Sequence, residues 1–284
     1  MKDNMNLSMD RYNPTSLDTI CGSLCYAMGA EPPKQAVTKC DELCALIDEK
    51  LQGRKADRMF IYNPDAIAQW LLQKHPNLFR GMERYIQLQL PLCTVMPSVT
   101  PVCFSTLYTG AQPEVHGIRK KTDTMVCDTF FDAMSRAGKK VALIALGRAS
   151  IGKLFLNKNM DYYLYEDSDE GLAMVAELIL KDEHDVIVYY NGYYDSMMHS
   201  HGPESPEAFG ELRTNVETFN MCAKLIERNW QSHDTLLAFA MDHGCHTDHE
   251  VTKSGKTYYG DHGFFVPSDM NIVHQYGIIP AKKD

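Results

Sequence analysis

The 284 residues are 44% hydrophobic, enough to build an ordinary buried core, which excludes disorder as a description of most of the chain. Lysine and arginine number 28 against 37 aspartate and glutamate residues, and the resulting formal charge of −9 offers no basic field to a nucleic-acid polymer or an anionic lipid surface. The opening stretch MKDNMNLSMDRYNP lacks the apolar core of a secretory signal and no later run is long enough to span a bilayer, so no membrane contact is expected and the cytoplasm is the expected compartment.

Residues 15–52 read as two helices separated by GAEPP, with Gly29 ending the first and the prolines opening the second. Leu17, Ile20, Cys21, Leu24, Cys25 and Met28 share one helical face, and Val37, Cys40, Leu43, Cys44, Ile47 and Leu51 share another. The nine cysteines are odd in number and scattered, which favours reduced thiols. The i, i+4 pairs Cys21/Cys25 and Cys40/Cys44 therefore read as core positions rather than as a zinc cage, which prefers tighter cysteine hooks. Residues 1–55 are expected to form a helical extension ahead of one domain spanning 56–284.

From there the pattern alternates. RMFIYN (58–63) is an apolar strand and DAIAQWLLQK (65–74) has helical spacing. Helices follow at about 102–109 and at 128–137, the latter closed by Gly138, and KVALIAL (140–146) is again a strand. DYYLY (161–165), DVIVYYN (185–191) and TLLAFAM (235–241) supply further strands, with long helices at about 169–181 and 205–230 between them. Near-continuous apolar strands alternating with helices predict an α/β fold whose mostly parallel central sheet is covered on both faces.

Open α/β sheets bind ligands at the carboxyl ends of their strands. In this chain those positions carry Asp65, then Asp195 and His199, then Asp242 and His243, with His262 further on. Carboxylates and imidazoles gathered at one edge suit divalent metals, and a pair of ions about 3.5–4 Å apart needs roughly six such ligands. Taken alone, Asp65 reads better as the N-cap of the helix after it. The recurrence of acids and histidines at successive strand ends points instead to a shared metal edge.

MPSVTPVCFSTLYTG (96–110) concentrates hydroxyls without a single charge. With Pro101 as the first helical residue, Thr100 falls at the N-cap, where free N–H groups and the helix dipole attract an anion. A metal beside Thr100 would lower its hydroxyl pKa and make it a nucleophile; without one, Thr100 is a cap and nothing more.

MPSVTPVCFSTLYTGAQPEVHGI (96–118), DSMMHSHGP (195–203), MDHG (241–244) and GDHG (260–263), together with Asp65, resemble the motif set of the alkaline phosphatase superfamily, and most closely its nucleotide pyrophosphatase/phosphodiesterase branch. The likeness covers most of residues 58–280. It implies that Asp195, His199 and His262 hold one metal, that Asp65, Thr100, Asp242 and His243 hold the other, and that both are zinc. It gives His116 a structural place and leaves His201, His246 and His249 outside the ligand pattern. Two departures stand out. Cys103 occupies the position where the branch often carries a phosphoryl-binding asparagine, and the interval from His243 to His262 is short where many members hold a large insertion.

The expected function is a two-metal hydrolase of small phosphate esters, a phosphodiesterase working through Thr100 and a covalent phosphothreonine. The alternatives are a phosphomonoesterase or phosphonate hydrolase of the same superfamily, or a catalytically silent protein that binds a phosphorylated ligand. A sulfatase is disfavoured because SVTPV lacks its nucleophile signature, and a phosphomutase because its transfer domain has no room. Arg119, Lys120, Lys121, Arg148 and Lys153 are the candidate cations for a second phosphoryl charge. Oligomeric state stays open.

Overall fold

Apolar runs that are buried on both faces, at Arg58–Pro64 (β1), Val141–Leu146 (β3), Val186–Asn191 (β5) and Thr235–Phe239 (β6), form the centre of a seven-stranded sheet. The structure is a computed structural model and describes residues 10–253 and 255–282. The sheet is completed by Leu88–Cys93 (β2), Asp161–Tyr165 (β4) and Asn271–Ile279 (β9), in the order β2-β9-β6-β1-β5-β3-β4. The five strands from β6 to β4 run parallel, and β9 joins them antiparallel to both β6 and β2. His246–Lys253 (β7) and Lys256–Asp261 (β8) make a separate antiparallel hairpin.

The helices are α1 (Thr19–Met28), α2 (Asp41–Leu51), α3 (Gln69–Lys74), α4 (Thr100–Thr109), α5 (Pro113–His116), α6 (Phe130–Arg136), α7 (Ile151–Leu154), α8 (Ser168–Lys181), α9 (Tyr193–His201), α10 (Pro206–Asn229) and α11 (Pro267–Met270). They surround the sheet as expected of an α/β fold: α1, α4 and α6 pack on one another, and α8 packs on α10 and on β3, β4 and β5. Local chemistry sets their ends. Gly29 closes α1 in the left-handed conformation, and Thr129 with Asp132 forms a capping box that starts α6. The apolar faces of α1 and α2 enter the same buried core as the sheet, and residues 15–17 bond to Cys93 on β2.

Three local expectations are corrected. The second N-terminal helix begins at Asp41 rather than at the prolines, because residues 36–39 pass irregularly against α1, where a Cβ on Gly22 would overlap the Thr38 carbonyl. Val37 is consequently outside the helix and 83% exposed. The helix after β1 begins only at Gln69, because Ala66 takes a left-handed turn at φ 61° and redirects the chain first. Its N-cap is Ala68, so Asp65 does not cap it. The cysteines are free thiols, and most are buried in the core.

Candidate metal centre

The order β6-β1-β5 places three strand ends side by side. Asp65 follows β1 and donates its backbone N–H to Asn191 at the end of β5, so strand pairing persists into the site. Asp242 and His243 follow β6, and Asp195 and His199 lie one turn apart on α9, which starts directly after β5. His262 arrives from β8, the strand packed on α9. These residues gather into two groups, Asp195–His199–His262 and Asp65–Asp242–His243, the second completely buried.

Within the first group the three donor atoms form a nearly equilateral triangle. His199 Nε2 is 3.2 Å from His262 Nε2 and 3.3 Å from Asp195 Oδ1, and His262 Nε2 is 3.4 Å from that same oxygen. In the second, His243 Nε2 is 3.4 Å from Asp65 Oδ1 and 3.3 Å from Asp242 Oδ2. Thr100 Oγ1 completes this set at 3.4 Å from His243 Nε2 and 3.3 Å from Asp65 Oδ2. Donors about 2.0–2.1 Å from a tetrahedral cation stand roughly 3.3 Å from one another, which is the spacing seen in both groups.

The outer atoms of these ligands are already committed. His199 Nδ1 donates to the Gly260 carbonyl at 2.9 Å, His262 Nδ1 to that of Ser98 at 3.0 Å, and His243 Nδ1 to that of Gly244 at 2.9 Å. Because a carbonyl only accepts, each ring carries a proton on Nδ1 and turns Nε2 inward, free to ligate once that atom is deprotonated. Asp242 Oδ1 accepts the Ala66 N–H at 3.2 Å, which leaves Oδ2 free. Asp195 Oδ1 and Asp242 Oδ2 are buried without a hydrogen-bond partner among the described residues. Inward ring nitrogens and carboxylate oxygens short of partners are an arrangement that a cation satisfies.

The electrostatics agree. Burial, then the charge of Asp195, pushes the Asp65 carboxyl above the usual range, and burial with the charge of Asp65 pushes Asp242 well above it. Asp195 is also buried, but the facing imidazoles of His199 and His262 outweigh that and hold its carboxyl well below the usual range. Burial opposes charge on His199, and Asp195 overcomes it to keep that imidazole at about 9. Three crowded acids therefore share too little positive charge, and divalent ions would supply what is missing.

Thr100 is the first residue of α4, one position inside the expected N-cap, because the extended Val99 already provides the first acceptor carbonyl. Its hydroxyl makes no capping bond and is left to face Asp65 and His243. Ser98 contributes through its carbonyl on His262, while its own hydroxyl is 3.4 Å from the Phe264 carbonyl. Cys103 is fully buried, with its thiol on the carbonyls of Val95 and Pro97. Burial pushes His116 down to about 4, and its ring bonds Thr106 and the Ile118 N–H, a structural role. His246 is held by buried Asp269 at 2.7 Å, and His201 and His249 are exposed.

The structure holds two clefts of about 310 Å³ each among its described residues. One is lined by Trp70, Lys74, Glu204 and His246, the other by Pro14, Met96, Gln112 and Phe265, and neither by any of the seven residues. The short 243–262 interval is occupied by the β7–β8 hairpin, whose Tyr258 ring packs edge-on against His199 at 5.3 Å. Sequence reading missed Tyr190, whose hydroxyl donates to Asp65 Oδ2 at 2.5 Å; within an apolar strand it carried no signal apart from its place near the strand end. Among the described residues no helix is long and apolar enough to cross a membrane.

No family model matches the chain, and no curated protein matches it in sequence. Solved structures do. Murine ectonucleotide pyrophosphatase/phosphodiesterase 5 superposes with a TM-score of 0.63 at 14% identity, covering 78% of this chain and 88% of that one. An inactive threonine-to-alanine variant of the murine protein in complex with AMP gives 0.62 at 13%, covering 78% and 88%. The human protein gives 0.62 at 13%, covering 78% and 87%. The likeness is one of architecture: the chain shares the α/β fold of the ectonucleotide pyrophosphatase/phosphodiesterase 5 structures.

Proposed function

We propose that the protein is a phosphodiesterase that hydrolyses small phosphate esters with two zinc ions and Thr100 as the nucleophile. The observation that carries this reading is the placement of a single hydroxyl, Thr100 Oγ1, within 3.4 Å of Asp65 and His243 at the start of α4. The mixed carboxylate and imidazole donors suit zinc better than the all-oxygen shells typical of magnesium or calcium. Asp195, His199 and His262 would hold one ion; Asp65, Asp242 and His243, with Thr100, would hold the other. When bound, the ions lower the pKa of the threonine hydroxyl and neutralise phosphoryl oxygens.

The residues then divide the work. Asp65 and His243 hold Thr100 Oγ1 in line with phosphorus. Its oxygen bonds to phosphorus as the bond to the leaving alcohol oxygen breaks, and a proton passes to that alcohol. Water then attacks the phosphothreonine, freeing Thr100 with its proton restored. The positive end of the α4 dipole lies at Thr100 and would favour the same anion where Cys103 supplies no phosphoryl-binding side chain. Inactivity of the threonine-to-alanine variant among the structurally similar proteins supports this role for Thr100.

The direct test is turnover of bis(4-nitrophenyl) phosphate before chelation, after it, and after zinc is restored. Activity lost and regained supports the reading. Undiminished activity in the metal-free protein contradicts it.

A further inference from the structure

We infer that Tyr190 and Gly192 form a latch that fixes the Asp65 carboxylate, and that this latch sets the affinity of one half of the metal centre. The inference rests on the metal-centre reading above and adds residues to it.

A carboxylate can turn either oxygen, or both, toward a cation. At Asp65 that freedom is removed from one side. Tyr190, on β5 next to β1, donates its hydroxyl to Oδ2 at 2.5 Å, while Oδ1 lies 3.4 Å from His243 Nε2. Asp242 is treated in the same way by a backbone donor, with Oδ1 on the Ala66 N–H and Oδ2 toward His243. The imidazoles are also tied at their outer nitrogens. Tyr190 is thus the side-chain member of a shell that leaves one atom per ligand for the ion.

The ring itself is wedged. Phe104 of α4 meets it edge-on at 5.8 Å, and its backbone carbonyl accepts the Tyr165 hydroxyl at 2.7 Å. Gly192, the residue before α9, also stands against the ring. Its φ of −105° and ψ of 14° do not call for glycine. Space does: a Cβ there would overlap the Tyr190 hydroxyl and come within 3.0 Å of its Cζ. A side chain at 192 therefore has to push the hydroxyl off Asp65. The same short segment continues to Asp195, so residues 190–195 carry the latch for one group and a ligand of the other.

The test is a double-mutant cycle on the full chain, Tyr190→Phe, Gly192→Ala and the pair, read by zinc titration against a chromophoric chelator. Tyr190→Phe is expected to weaken one of the two ions by about 10–100-fold and leave the other unchanged. Gly192→Ala is expected to do the same, and the pair to cost little more than either single change, since both remove one bond. Rescue by the isosteric ring is not expected, because Tyr190→Phe keeps the packing and loses only the hydroxyl. Two ions bound by Tyr190→Phe with wild-type affinities would overturn the latch alone, as would losses that add fully in the pair. A wild-type chain that takes up no zinc would overturn the metal centre and the latch with it.

Discussion

The Nε2 atoms of His199 and His262 face each other at 3.2 Å, each ring donating its Nδ1–H to a backbone carbonyl. Two inward nitrogens at that distance, with Asp195 Oδ1 beside both, form a donor set that a cation between them would satisfy. Zinc should therefore stabilise the fold by mass action. At free zinc one hundred times its dissociation constant, unfolding is expected to cost about 2.7 kcal/mol more per site, measured by denaturant titration with and without chelator. Equal midpoints in the two conditions would count against an ion-binding centre.

Thr100→Ala should reduce turnover by on the order of 10³-fold while zinc uptake stays largely intact, because a nucleophile acts mainly in the transition state. Thr100→Ser should keep part of the rate. Ser98→Ala is the control, since that hydroxyl faces the Phe264 carbonyl rather than the ligands. An inactive Ser98→Ala beside an active Thr100→Ala would assign the nucleophile wrongly.

A phosphomonoester brings a second negative charge that a nearby cation has to meet. Arg119, Lys120 and Lys121 are exposed, and the N–H groups of the first two are bound to Asp123 in a turn of their own. Lys153 is exposed, and Arg148 bonds Tyr193 at the start of α9. No lysine or arginine among the described residues pairs with the seven site residues. The kcat/KM on an aryl phosphodiester is therefore expected to exceed that on the matching monoester. A tenfold preference for the monoester would redirect attention to Arg148, which interacts with Tyr193 of α9.

His274 gives a pH dependence apart from the ligands. It is fully buried, donates Nε2–H to the Met241 carbonyl at 2.6 Å and accepts the Tyr276 hydroxyl at 2.9 Å. Burial pushes its pKa down to about 4, below the value of about 6.5 it has when unfolded. The unfolded chain thus binds the extra proton first as pH falls, so this stability is complete above about pH 6.5 and is lost progressively toward pH 4. The loss is roughly 2 kcal/mol at pH 5. In denaturant unfolding at fixed metal content, His274→Gln should flatten the stability profile between these limits; an unchanged slope would exclude the assignment.

The parallel strands were legible because β1, β3, β5 and β6 are apolar on both faces, and their ends led directly to Asp65, Asp195 and Asp242. The antiparallel edge was not. Pro91 interrupts β2, and β9 buries His274 and Gln275, whose polarity hides a central strand until their partners are known. The turn at Ala66 was equally silent, since nothing in DAIAQ announces a left-handed alanine. Ligands could be read from residue type and spacing. The carbonyls and the tyrosine that aim them come from other elements and emerge only once the chain is folded.

The two groups, Asp195–His199–His262 and Asp65–Asp242–His243 with Thr100, are proposed to hold one ion each. Zinc per chain, counted by mass spectrometry after chelation and reconstitution, separates them in the wild type, Asp195→Asn and Asp242→Asn. The expected result is about two ions in the wild type and about one in each variant, with the retained ion differing between them. A wild type that holds none, or variants that still hold two, would contradict it.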